Sequence, residues 1–353
     1  MFPVRAFVAF CALSAISSHS SAVVYKVYDL GNQSIFPGAR SVAYAVNNAG
    51  TVVGSVSIFG FRWTMSDGFR LTTITPTLCM SESYGISPSG MIAGQFRETT
   101  SSRGPGYVRR PNGSVVIIPG TVDGNPIKPL GVNDSMQVVG QFSTGLPVPR
   151  GFFWSLATGL QDIGSLFPGS QTGAVAINSS GLVAGISGLG DIHDGAFLWS
   201  AHGGMVSVPP WPGYHSCGGF ALNELGDLLV WSGGDFNVDH THVRSLDGTV
   251  REIPPVFSGN DLIGQSLNNR GDVAGVNILQ GGPGRAFVSL FGQPSVLIQD
   301  HLDAGSQGWT LLNANSMNDD GWIVGVGNRG GVNHAYLAVA VSQSPNPKKF
   351  LKK

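Results

Sequence analysis

The chain has 353 residues, a formal net charge of −1 and only 12 % charged residues, about half the usual share, while its 51 glycines are about twice the usual fraction. That balance excludes a coiled coil, a disordered polyelectrolyte and a protein drawn by its overall charge to nucleic acid or anionic membrane. It suits a turn-rich β-protein, and a chain of this length fits one large all-β fold as readily as two average domains.

At the N-terminus, Arg5 precedes an apolar run from Ala6 to Ile16, and small polar residues follow as far as Ala22. These are the three regions of a secretory signal peptide over residues 1–22, which predicts export to the extracellular space or periplasm. The run is too short to cross a bilayer. Nothing later in the chain is apolar enough and long enough, so no transmembrane segment is expected. Cleavage leaves Cys79 and Cys217. They stand at different points of the repeat described next, so they read as two separate thiols rather than a disulfide.

The mature chain opens with a strand-like segment, VVYKVYDLGN (23–32). One unit then recurs seven times. AVNNAGTVVG starts at Ala45, GISPSGMIAG at Gly85, GVNDSMQVVG at Gly131 and AINSSGLVAG at Ala176. ALNELGDLLV starts at Ala221, SLNNRGDVAG at Ser266 and SMNDDGWIVG at Ser316. Successive starts lie 40, 46, 45, 45, 45 and 50 residues apart. In each unit small or apolar residues lead to Asn, two free positions, Gly and an apolar triplet. Asn starts a turn with its side chain, and Gly takes the left-handed conformation that closes a short hairpin. Ser87 replaces the asparagine in the second unit, and Met136 replaces the glycine in the third.

A third strand follows the hairpin, as in GFRW (60–63), GFFW (151–154) and THVRS (241–245), and most units add a fourth, as in GLQDIGSL (159–166). Four short strands in about 45 residues mark a propeller blade, so the expected fold is an all-β, seven-bladed β-propeller over residues 23–341. The Ala-, Gly- and Ser-rich first strand is expected at the axis, where bulky side chains would collide. The tryptophan register of the third strand (Trp63, Trp154, Trp199) reads as packing between blades. The seventh unit runs out after three strands at HAYLAVAV (334–341). Residues 24–31 are therefore predicted to complete the last blade and close the ring. The final segment, SQSPNPKKFLKK (342–353), reads as a basic disordered tail.

The pairing of A-x-A-I-N-x-x-G-x-V-V-G with a later H-A-F-L-W resembles the HAF-repeat proteins, bacterial extracellular proteins named for that tripeptide. The resemblance covers all seven units. Its Asn/Gly half is matched closely, whereas only His334-Ala335-Tyr336 keeps the histidine of the tripeptide. It implies bacterial export and a repeat architecture, and it carries no catalytic residues.

Repeated hairpins build the scaffold, so function is sought in the variable loops. GLGDIHDG (188–195), SGGDFNVDHTH (232–242) and PPWPGYHSCGG (209–219) are expected to crowd one sector of one face, over blades four and five. Trp211, Tyr214, His215, Asp191 and Asp235 there supply flat apolar faces beside polar groups, which suits a glycan or protein ligand. His193, His240, His242 and Asp239 form a candidate set for a divalent transition metal. The bland alternatives are that Asp and His merely populate surface turns and that Pro-Trp-Pro anchors its loop. No nucleophile elbow, H-E-x-x-H helix or phosphate-binding glycine loop is present. The sequence therefore reads as a monomeric, exported, non-catalytic binding module that requires no cofactor. Two alternatives stand beside it: an extracellular polymer-acting hydrolase or lyase with a loop-face metal, and a structural surface protein.

Overall fold

A computed structural model describes residues 23–31, 36–72, 80–97, 104–120, 126–143, 148–188, 194–233, 238–278 and 282–341. The expected signal peptide and tail, Cys79, Asp191, His193 and Asp235 lie outside the described residues. The remainder forms seven antiparallel four-stranded sheets in a ring, a seven-bladed β-propeller. In blades one to six the four strands follow one another in sequence. The first is innermost, as Ser41–Val46 is in blade one, and the fourth outermost, as Gly68–Leu71 is there.

Each Asn-x-x-Gly segment folds as a turn in which the Asn carbonyl accepts the glycine N–H, as Asn178 O does from Gly181 N at 3.0 Å. The glycine then sits at positive φ, 81° at Gly181 and 74° at Gly50. Met136 adopts the same left-handed conformation at φ 56°. It is buried in the core between blades two and three, so packing holds a residue with a Cβ in a conformation that glycine adopts more freely.

The asparagine does more than begin a turn. Its Oδ1 accepts the backbone N–H four residues on, as Asn178 does from Leu182 at 3.1 Å. Its Nδ2 donates to the main-chain carbonyl of the matching residue in the next blade. Asn133 bonds Asn178, Asn178 bonds Asn223, Asn223 bonds Asn268, Asn268 bonds Asn318 and Asn318 bonds Asn47, at 3.0 to 3.3 Å. Asn47 continues to Ser87 at 3.1 Å. Ser87 accepts from Met91 N but does not reach Asn133, so the circle lacks one link, between blades two and three. An outer arc of four such links runs from blade four round to blade one. Glu224, Asn269, Asp319 and Asn48 each accept the N–H of the equivalent residue in the preceding blade.

Within the blades one pairing recurs: a glycine on the second strand faces an aromatic on the third. The pairs are Gly54 with Phe61, Gly94 with Tyr107, Gly140 with Phe152, Gly185 with Phe197, Gly275 with Phe287 and Gly325 with Tyr336. All six rings are fully buried. The ring lies over the glycine, and a Cβ on Gly185 would stand 2.7 Å from Phe197. In blade five the pair is Val230 with His242. The tryptophans are packing residues, as expected, with Trp154 and Trp199 buried in the cores between blades.

The ring closes as the sequence predicts. Val24–Asp29 pairs antiparallel with Val332–Val341, from Val24 against Val341 to Asp29 against Tyr336. Leu30 follows into the core at 1 % exposure. The histidine of the HAY tripeptide fastens the join: His334 Nδ1 lies 2.9 Å from the Asp29 carboxylate, with Arg329 at 3.5 Å and Gly31 N–H donating at 2.8 Å.

One expectation about the axis needs correction. Small residues there do permit close approach, but of neighbouring inner strands, since a Cβ on Gly85 would stand 2.5 Å from the Leu130 carbonyl. The channel itself is not lined by small residues alone. Every inner strand carries a β-bulge at a shared position, where the extra residues are Tyr44, Tyr84, Leu130, Val175, Phe220, Gln265 and Asn315, and the last inner strand has a second at Leu312. A bulge re-aims a side chain, and all seven line the axial cavity.

Asn178→Ala strands the Leu182 N–H and removes the inter-blade donor from the Asn223 carbonyl, which keeps only the Gly226 N–H, and should cost about 1–3 kcal/mol, whereas Ser87→Asn supplies the absent link and should gain about 0.5–1.5 kcal/mol, both read from urea unfolding. Deleting residues 23–31 exposes the edge of the last strand from Ala335 to Val341, so the shortened protein should be insoluble or unfolded when its yield and circular dichroism are compared with the parent.

Candidate functional site on the loop face

Hairpins between first and second strands occupy one face of the ring. The opposite face carries the connections between blades and the loops joining second to third strands. Residues 209–215 connect blade four (outer strand Gly204–Val208) to blade five (inner strand Ser216–Leu222) on that opposite face. Three prolines stiffen this connection. A turn closes it, Tyr214 N donating to Trp211 O at 3.0 Å with Gly213 at φ 90°. Trp211 N donates to Ser232 Oγ at 2.9 Å and Tyr214 Oη to Val238 O at 2.9 Å, which tie the connection to the second strand of blade five and to the residues just before its third.

That third strand, His240–Arg244, supplies the predicted histidines. They lie within the sheet rather than in a loop, and their alternation turns both rings towards Trp211. Trp211 stacks on His240 with centroids 4.4 Å apart and planes at 25°, and stands 5.2 Å from His242. Tyr214 meets the same His240 ring at 5.8 Å. His240 Nε2 lies 3.0 Å from the carboxylate of Glu252 on the outer strand. The four rings and Glu252 thus form one continuous cluster.

Its two ends differ in access. Glu252 and His215 are exposed, Trp211, Tyr214 and His240 half-buried, and His242 is fully enclosed. Burial, then the positive charge of Arg244, then His240 push the His242 imidazole down to about 3. Arg244 Nε donates to His242 Nε2 at 3.3 Å, which leaves the ring proton on Nδ1. Burial raises the Tyr214 phenol, and the carboxylates of Asp239 and Glu252 add to the shift. Burial also raises the Asp239 carboxyl. Asp239 itself is held at the boundary with blade six, its N–H donating to Asp261 Oδ1 at 3.0 Å.

Of the predicted site residues, the structure gathers Trp211, Tyr214, His240 and His242 and sets Asp239 close enough to act on Tyr214 electrostatically. His215 stands exposed on the same connection. Among the described residues no three His, Cys, Asp or Glu side chains converge to hold a metal ion. His240 and Glu252 offer two donors, and zinc takes three or four from protein. Cys217 is a free, buried thiol that accepts the Ala196 N–H at 3.2 Å. Sequence reasoning missed Glu252 and Arg244 because it sought the site in the segments expected as loops, 188–195, 209–219 and 232–242. A signal was available: aligned on the third strands, His242 takes the place of Phe152 and Phe197.

No protein-family model matches the chain, and no curated protein matches it. Among solved structures 173 chains do. One is selenomethionine-substituted virginiamycin B lyase from Staphylococcus aureus, with TM-score 0.53 and 10 % identity over 90 % of this chain and 100 % of that one. A chain of the mitotic checkpoint complex gives 0.54 and 13 %, covering 96 % and 99 %. A prolyl endopeptidase gives 0.56 and 12 %, covering 87 % of this chain and 51 % of that one. At such identities the likeness concerns the fold.

His242 makes stability depend on pH. The unfolded ring titrates near 6.5, whereas the folded ring stays neutral down to about 3. Below about 6.5 the unfolded chain therefore binds a proton that the folded chain refuses. The stability is full above that value and falls as pH drops towards 3. Unfolding free energy should fall by about 1–2 kcal/mol from pH 7 to pH 5 through this group. The double variant Val230→Gly/His242→Phe, which restores the pair found in other blades, should lose distinctly less over the same range.

Proposed function

We propose that this β-propeller is an exported, non-catalytic binding module that uses the loop face over blades four and five to hold an extracellular glycan or protein. The observation that carries the reading is the ring cluster of Trp211, Tyr214 and His240 ending at the Glu252 carboxylate. Flat faces suit the C–H surface of a sugar or an apolar side chain, and the imidazole–carboxylate pair at 3.0 Å gives direction to hydrogen bonds. Three prolines and the hydrogen bonds of Trp211 and Tyr214 hold the connection in place before any ligand arrives, which lowers the ordering cost of binding. The HAF-repeat resemblance and the secretory N-terminus support an extracellular setting. The near-neutral net charge gives no general pull to nucleic acid, so recognition rests on local shape and hydrogen bonding.

The test is a glycan array together with affinity capture from bacterial surface extracts, followed by titration of whatever binds. Tyr214→Ala should weaken binding at least about tenfold, in the range of an aromatic interface residue, while the unfolding midpoint stays close to that of the parent. Binding unchanged in both Tyr214→Ala and Glu252→Gln, or no ligand in either screen, refutes the loop-face reading.

A further inference from the structure

The axial channel is a second candidate site, and it shares no residue with the loop face. It has a volume of about 580 Å³, within the range of small-molecule pockets. The bulges decide what it presents, and the seven bulged residues divide into two arcs. Leu130, Val175 and Phe220, from blades three, four and five, form an apolar wall. Gln265, Asn315, Tyr44 and Tyr84, from blades six, seven, one and two, form a wall of amides and phenols.

The polar arc is arranged in detail. Tyr44 and Tyr84 lie 5.2 Å apart and tilted. The Lys128 ammonium stands 4.8 Å over the Tyr84 ring, and the Tyr84 hydroxyl bonds the Glu82 carboxylate. Asn315 is steadied by donating to Ala43 O at 2.8 Å, which leaves its Oδ1 to accept. The half-buried Gln265 side chain has no hydrogen-bond partner among the described residues. Glu82 and Lys128 lie ahead of the bulge in their strands, so the charges sit towards the loop-face mouth. Ile86, Ile177 and Leu222 end their strands and place aliphatic surface towards the hairpin face.

We infer that this channel binds a neutral sugar, as a mono- or disaccharide entering from the loop face. Glu82 and Lys128 belong to one cluster linked through Tyr84, so their opposite charges offset each other and the channel offers no net charge to an ionic ligand. What it does offer is amides and phenols on one side and C–H surface on the other. A sugar ring has that division, hydroxyls around its edge and C–H groups on its faces. Gln265 is the residue best placed to discriminate, since a side-chain amide both donates and accepts.

The experiment is saturation-transfer-difference NMR on the full chain with glucose, galactose, mannose, N-acetylglucosamine and cellobiose, with glucuronate and leucine as charged and zwitterionic comparisons. At least one neutral sugar should show transfer to its ring protons. Gln265→Leu should weaken that sugar at least tenfold, and Val175→Trp, which fills the apolar wall, should abolish the signal. Circular dichroism checks folding, and Gln265→Leu carries the decision should Val175→Trp fail to fold. Tyr214→Ala, on the loop face, should leave the signal intact, so failure of one site is distinguishable from failure of the other. Transfer to no neutral sugar, transfer only to glucuronate or leucine, or a sugar signal unaffected by Gln265→Leu overturns the inference.

Discussion

Six asparagine amides hold this ring together on its hairpin face. Each performs three tasks: it begins a turn, satisfies the N–H four residues on and donates across the boundary to the next blade. Blades contact their neighbours chiefly through apolar side chains, which attract without fixing register. A buried, directional bond from one hairpin to the next fixes the angle and height of neighbouring blades at six of the seven interfaces. The outer arc of Glu224, Asn269, Asp319 and Asn48 repeats the device where solvent is closer. The motif recurs at nearly constant spacing because six of the seven interfaces use the same bond.

The blade interiors rest on a steric rule, an aromatic ring laid over a glycine. Six blades obey it with phenylalanine or tyrosine. Blade five departs from it with Val230 and His242, and the departure sits beneath the connection that carries Trp211 and Tyr214. A buried imidazole is a worse core residue than phenylalanine, since its polar nitrogens need partners and protonation is disfavoured. Its place under the aromatic cluster ties the irregular core of blade five to the connection that carries Trp211 and Tyr214.

Two surfaces on one ring then divide the chemistry. The loop face presents rings ending in a carboxylate, open to a large partner. The channel presents a two-sided wall suited to something small. Both arise from departures from regular pairing, a stiffened connection in one case and a bulge in every inner strand in the other. The regular part of each blade contributes rigidity, which keeps those groups in position without a ligand.

Blade number, strand count and the closing strand were legible in the chain because a period near 45 residues, turn chemistry and a seventh unit that runs out after three strands are all local or additive features. The gathering of Trp211, Tyr214, His240 and His242 was legible for the same reason, since blade topology places those segments side by side. The role of Glu252 was not, because it depends on cross-strand register, and that of Arg244 depends on the burial of the His242 ring two residues before it. The Asn-to-carbonyl circle, the burial that keeps His242 neutral and the inward turn of Tyr44, Tyr84 and Phe220 belong to the folded protein alone. Each depends on distances between blades 40 or more residues apart in sequence, or on a one-residue bulge that leaves no mark in composition.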